Sequence, residues 1–219
     1  MISLILVDAE VELVPHVPGE DRALPRVCTM KHGELRGLHV LDSYIHRHVM
    51  EGLEGAERRG RPDILHSFLL LAQASRHCRE GKLRSYVHTR GDEVIEVGQV
   101  FQADQSYLAF LQDLGALFCQ GKLGAEEEGL RLRAHMTIRE LLAELAPDEV
   151  VVLSPSGDET DLGRALLPSK EKHLAVIIGG FPEGDYRSEV YALADAKVTL
   201  GEELLTVPDV TARVLGALP

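Results

Sequence analysis

Hydrophobic positions in this chain fall into unbroken apolar runs, period-two alternation and helical spacing, and the changes between them mark its elements. Residues 2–7 are an apolar run that predicts a strand, and Val11-Glu12-Leu13-Val14 predicts a second, ending before Pro15 and the Pro18-Gly19 turn signal. Residues 43–57 carry Tyr44, Val49 and Leu53 among charged positions and predict a helix, weakened in its later part by Gly52, Gly55 and Gly60. Pro62 suits a first helical turn, where its missing N–H has no intrahelical partner. Ile64, Leu65, Phe68, Leu69 and Leu71 then supply a broad buried face. Residues 83–89 and 93–97 flank Arg90-Gly91-Asp92 and predict a β-hairpin, and residues 104–120 return to helical spacing.

The C-terminal half alternates strand and helix. Thr137-Ile138-Arg139-Glu140 is a capping-box pattern heading a short helix that stops before Pro147. Val150-Val151-Val152-Leu153, Leu174-Ala175-Val176-Ile177-Ile178 and Lys197-Val198-Thr199-Leu200 are strands, each followed by a glycine- or serine-bearing loop, and residues 208–218 form a final helix. Fully apolar strands separated by helices imply an α/β fold with a mainly parallel sheet covered on both faces. Ligands of such sheets sit beyond the carboxyl ends of the strands, here at those three loops.

Composition narrows the setting. The 219 residues, 45% hydrophobic, suffice for one domain with an extension. Cys28, Cys78 and Cys119 are odd in number, widely spaced and free of C-x-x-C patterning, so neither a disulfide framework nor a zinc knuckle is indicated. No basic leader precedes residue 2, and no apolar stretch approaches the roughly 18 residues of a membrane helix, so a cytoplasmic protein without a membrane span is expected. A formal net charge of −12 opposes nucleic-acid binding in bulk, although Arg58-Arg59-Gly60-Arg61 can present a local basic patch or an ordinary solvated loop.

The chemistry-bearing residues admit more than one reading. Gly179-Gly180 after a strand allows either a tight turn or close approach of backbone to a ligand. The spacing matches neither G-x-G-x-x-G nor a phosphate P-loop. Arg61 and Asp63 form a surface ion pair at a helix start or a fixed guanidinium for RNA. His46-x-His48 lacks further ligands and reads as a surface helix rather than a metal site. His66, one turn past Asp63, lines a site or packs between helices.

Taken in order, the opening strand, Arg61-Pro62-Asp63-Ile64 with His66, Gly81-Lys82-Leu83 before Tyr86-Val87-His88-Thr89, Ile95-Glu96-Val97 and the Gly179 loop resemble the pseudouridine nitrogen-1 methyltransferases of ribosome biogenesis, members of the SPOUT class. The resemblance covers most of the chain. It implies one SPOUT-like methyltransferase domain over residues 1–219, with a helical and β-hairpin extension within 30–60 and a C-terminal trefoil knot within 148–219. It further implies a cytoplasmic homodimer that methylates pseudouridine in small-subunit ribosomal RNA with S-adenosylmethionine. Gly179 and Gly184 match the family's cofactor loop; Leu153 and Ser154 match the end of the preceding cofactor strand. Leu200, Gly201, Glu202, Glu203, Leu204 and Leu205 match the last cofactor loop, and Arg61 and Asp63 match an RNA-facing arginine and the catalytic carboxylate that orients it or takes a proton. Three RNA-binding arginines of the family fall at Gln102, Gln105 and Ala109, which cannot neutralise phosphate. Arg58, Arg59 and Arg84 are candidate substitutes. The departure leaves two alternatives open: a non-catalytic ribosome-assembly or RNA-binding paralogue, and a methyltransferase with a different substrate.

Overall fold

The computed structural model describes residues 1–15, 30–31, 34–35, 40–159, 162–166, 172–201, 203 and 205–219. From the N-terminus its elements are β1 (Ile2–Ala9), β2 (Met30–Lys31), β3 (Glu34–Leu35), α1 (Arg47–Met50), α2 (Pro62–Ala74), α3 (Arg76–Arg79), β4 (Leu83–Thr89), β5 (Val94–Val97) and α4 (Tyr107–Gln120). There follow β6 (Lys122–Leu123), β7 (Leu130–Arg133), α5 (Ile138–Leu145), β8 (Glu149–Glu159), α6 (Leu162–Ala165), β9 (Leu174–Gly179), α7 (Val190–Leu193), β10 (Ala196–Thr199) and α8 (Val207–Ala217).

Among the described residues, eight strands form one sheet in the order β10-β8-β9-β1-β4-β5-β7-β6. The first five run parallel and the last three antiparallel. Every residue of β1 is buried because the sheet is covered on both sides. Leu4, Leu6, Val151, Val176 and Ile178 pack with Leu65, Phe68 and Leu69 of α2, Phe110 and Leu114 of α4, and Val214 of α8. On the opposite face Ile5, Val7, Val152 and Ile177 meet Ile138 and Leu141 of α5 and Val190 of α7. The apolar strands are therefore apolar on both faces for one reason: neither face meets water.

Several expected elements have the expected form. Pro62 occupies the first turn of α2, and the Thr137–Glu140 capping box of α5 is complete in both directions. Two do not. Residues 11–14 form no strand, since the Val11 N–H bonds back to the Ala9 carbonyl at 2.8 Å and the turn carries the chain off the sheet, leaving one bridge between Leu13 and Val40. Residues 43–57 hold only the single turn α1. The Asp42 carboxylate accepts the N–H groups of Tyr44 and Ile45 at 2.8 and 2.9 Å, and Gly55 at φ 70° interrupts any continuation. Cys78 keeps a free thiol, whereas Cys119 is disulfide-bonded, so the widely spaced cysteines are not all thiols. No helix among the described residues is long and apolar enough to cross a membrane.

Candidate functional site

The carboxyl ends of β8, β9 and β10 open onto a cavity of about 790 Å³, closed on its other side by the first turns of α2 and α8. Its walls are largely apolar, with Leu153, Ile178, Leu200, Leu205 and Val210. The β8 contribution depends on a register break. Lys197 pairs with Val152 but Val198 pairs with Asp158, so the residues between bulge out of the ladder and bring Leu153, Ser154 and Pro155 to the cavity.

The loop after β9 is seated by backbone. Gly180 N donates to the Val7 carbonyl at 2.7 Å, and the Gly180 carbonyl accepts from Glu10 N at 3.2 Å. A Cβ on Gly180 would lie 2.7 Å from the Ala9 Cα, and one on Gly179 would lie 2.8 Å from the Phe181 ring. Close approach of chain to chain thus requires Gly180, while Gly179 leaves room for the aromatic that follows it. Phe181 meets Tyr186 edge-on at 5.3 Å, and Tyr186 meets Tyr191 the same way at 5.6 Å. The Tyr186 hydroxyl donates to the Leu153 carbonyl at 2.8 Å; burial holds this phenol well above its ordinary pKa and keeps it a donor. Asp8, buried at the end of β1 with φ 54°, accepts the N–H groups of Arg187 and Ser188 at 2.6 and 3.0 Å, fixing the far end of the loop.

Arg61 and Asp63 line the same cavity from the head of α2. The pair is bidentate, Nε to Oδ1 and Nη2 to Oδ2 both at 2.8 Å, and the hydrogen bond to Asp63 raises the arginine's pKa further. Both carboxylate oxygens therefore hold the guanidinium in a fixed plane. The backbone behind it is fixed too, since Arg61 N donates to the Glu10 carbonyl at 2.8 Å and Ser43 N to the Gly60 carbonyl at 2.8 Å.

Ten sequence-predicted residues thus meet around one cavity: Arg61, Asp63, Leu153, Ser154, Gly179, Gly184, Leu200, Gly201, Glu203 and Leu205. Glu202 and Leu204 lie outside the described residues. Gln102, Gln105 and Ala109 do not line the cavity; they precede or begin α4, whose Tyr107 donates its hydroxyl to Asp42 beside Arg61. His66 is 8% exposed, stacks on Phe110 at 4.6 Å and hydrogen-bonds the Asp104 carbonyl at 2.7 Å, which makes it a helix-packing residue. His46 is buried, not on a surface helix, and its Nδ1 accepts from Asp42 N at 3.0 Å. No cluster of three or more His, Cys, Asp or Glu side chains suited to a metal occurs among the described residues.

The expected substitutes for missing arginines are mostly committed elsewhere. Arg58 pairs with Glu10 at 3.1 Å and Arg59 with Glu12 at 2.5 Å, with side chains 17% and 13% exposed, so these two belong to an internal ion network instead of a basic patch. Arg84 is exposed on β4. Phe181, Tyr186 and Tyr191 stand beside Gly179 in the sequence without a signal of their role, because aromatic residues in a loop carry no period that marks their partners.

A wide cleft beyond the carboxyl ends of a mainly parallel sheet, lined by backbone-rich loops on one side and a fixed guanidinium on the other, has the form of a ligand-binding cleft of an α/β protein. The family model for the EMG1/NEP1 methyltransferases matches residues 4–218. The ribosomal RNA small subunit methyltransferase Nep1 of Methanothrix thermoacetophila is 34% identical over 216 residues, covering 98% of this chain and 94% of the relative. The Nep1 of Pyrococcus furiosus is 36% identical over 207 residues, covering 93% and 90%. The crystal structure of Archaeoglobus fulgidus Nep1 bound to S-adenosylhomocysteine superposes with a TM-score of 0.78 at 28% identity, covering 98% of this chain and 95% of that one. The chain belongs to the EMG1/NEP1 methyltransferase family.

Proposed function

We propose that this chain is an S-adenosylmethionine-dependent methyltransferase of small-subunit ribosomal RNA whose methyl acceptor is nitrogen-1 of a pseudouridine. The observation that carries the reading is that the β8, β9 and β10 loops and the Arg61–Asp63 pair share one cavity. Leu153, Ser154, Gly179, Gly184, Leu200, Gly201, Glu203 and Leu205 hold the methyl donor, with Glu202 and Leu204 assigned to the same loop. Apolar walls suit an adenine. Glu183, Asp185 and Glu203 add carboxylates where, among the described lining residues, Arg61 is the only Lys or Arg, a balance that favours a cationic sulfonium. When bound, S-adenosylmethionine supplies an activated methyl group, and transfer to N–H nitrogen releases S-adenosylhomocysteine and one proton.

Asp63 aims the Arg61 guanidinium at the acceptor and thereby fixes the base near the donor. Its two oxygens are already occupied by Arg61, which supports orientation as its principal role. The reading extends to a single SPOUT-like domain over residues 1–219, an extension within 30–60, a trefoil knot within 148–219, a homodimer and a cytoplasmic setting. The match of the family model over residues 4–218 supports these assignments. Gln102, Gln105 and Ala109 favour one rival, a non-catalytic assembly factor that keeps the cofactor cavity.

Transfer of labelled methyl to an RNA hairpin bearing one pseudouridine separates these readings. The wild type is expected to methylate it and to ignore the matching uridine hairpin. Arg61→Ala and Asp63→Ala are expected to slow transfer by on the order of 100-fold while retaining S-adenosylhomocysteine binding. Cofactor binding without transfer to any pseudouridine RNA would establish the assembly factor instead.

A further inference from the structure

We propose that Arg58 is a positioning residue that clamps the loop between β9 and α7 into its cofactor-binding shape, with Glu10 as its anchor. The proposal rests on the assignment of the cavity to S-adenosylmethionine. Arg58 touches that loop in three ways. Its Nη1 donates to the Asp185 carbonyl at 2.8 Å, its guanidinium lies 4.3 Å from the centroid of the Phe181 ring, and its Nη1 lies 3.1 Å from where a Cβ on Gly184 would stand. Gly184 has φ 82°, so the chain reverses directly beneath the arginine.

What holds Arg58 is equally specific. Its Nε donates to Glu10 Oε1 at 3.1 Å, and the Glu10 side chain is fully buried just past the end of β1. Burial raises the Glu10 pKa while Arg90, Arg58 and Arg187 oppose the rise, so the carboxylate depends on its arginines to stay charged. Arg90 Nε lies 3.0 Å from the other Glu10 oxygen, without the alignment of a hydrogen bond. Arg58 is therefore anchored at one end in the parallel sheet and caps the Phe181–Tyr186–Tyr191 stack at the other. Through Tyr186 that stack reaches the Leu153 carbonyl, and through Tyr191 it reaches the Ser154 hydroxyl at 2.9 Å, so one clamp sets the walls from both β8 and β9.

A guanidinium can sit over the Phe181 ring while donating from Nε to Glu10 and from Nη1 to Asp185; an ammonium is a single point and cannot do both. Without the clamp the loop must be ordered at the moment of binding, which weakens affinity without touching the reacting atoms. Calorimetry with S-adenosylhomocysteine and hydrogen exchange of residues 179–187 test this in the full-length protein. Arg58→Gln is expected to raise Kd on the order of tenfold and to speed exchange in that loop alone. Arg58→Lys is expected to fall between, and Arg76→Gln, at an exposed helix pair, to change neither. In transfer assays the KM for the methyl donor rises and kcat at saturation holds. Wild-type affinity and unchanged loop exchange in Arg58→Gln or, should that variant not fold, in Arg58→Lys would overturn the clamp. Failure of the wild type itself to bind S-adenosylhomocysteine would overturn the cavity assignment on which it rests.

Discussion

Gly180 shows how one missing Cβ positions a site. Its carbonyl and N–H both bond to the chain around Ala9, and a methyl group would enter the backbone rather than a side chain able to turn away. Gly180→Ala is expected to destabilise the fold by about 1–3 kcal/mol, read as a lower urea midpoint at unchanged slope. Gly179→Ala first meets the Phe181 side chain rather than backbone, so it is expected to weaken cofactor affinity more than stability. The sequence displays these two glycines as a turn after a strand, but their different duties depend on neighbours 171 and 2 positions away, at Ala9 and Phe181. Arg58 is the harder case. In sequence it is one of a basic run; its partner carbonyl at Asp185 is 127 residues distant, and nothing local distinguishes an arginine facing RNA from one facing a loop.

Among elements, legibility follows range. The α2 face and the Thr137–Glu140 box are written in spacings of three and four residues, and both helices form as read. Residues 11–14 have strand composition, but the turn at Ala9–Val11 takes them off the sheet, and β7 alternates over only four residues, too few to stand out before its partner β5 is known. The start of α4, with Gln102 and Gln105 just before it and Ala109 in its first turn, stands where the resemblance implies RNA-binding arginines. If it faces RNA, as its position beside Arg61 implies, restoring arginine at Gln102, Gln105 and Ala109 should steepen the salt dependence of RNA binding. The expected change in slope is about 0.7 per phosphate contact regained with single-stranded RNA. Filter binding over a range of potassium chloride checks it, with S-adenosylhomocysteine affinity unchanged; an unaltered slope would show that these positions face no phosphate.

At the scale of the whole molecule, pH acts through buried histidine. His88 on β4 is 1% exposed, 3.1 Å from an Asp92 oxygen and 3.7 Å from an Asp8 oxygen, yet burial holds its pKa below the ordinary 6.5. As pH falls below about 6.5 the unfolded chain takes up this proton before the folded one does. Stability therefore drops with falling pH until the folded-state pKa is passed, and is fully present above 6.5. Denaturation midpoints measured downward from neutrality should show this slope, and His88→Gln should flatten it in part; His173, whose pKa burial also lowers, acts in the same direction. A slope unchanged by His88→Gln would assign the proton uptake to another group.

The amino-acid sequence by itself determined the apolar strands, the principal helices and their caps, because these depend on periods of two to four residues and on groups within one turn. It also carried the motifs by which family membership could be recognised. Tertiary structure decided the sheet order, the bulge that delivers Ser154, and the meeting of Arg61 with Gly179 in one cavity. It also turned Arg58 and Arg59 from surface charges into internal braces. Those outcomes depend on contacts between residues tens to more than a hundred positions apart, where burial and desolvation decide which partner each charge finds and local pattern holds no record of the choice.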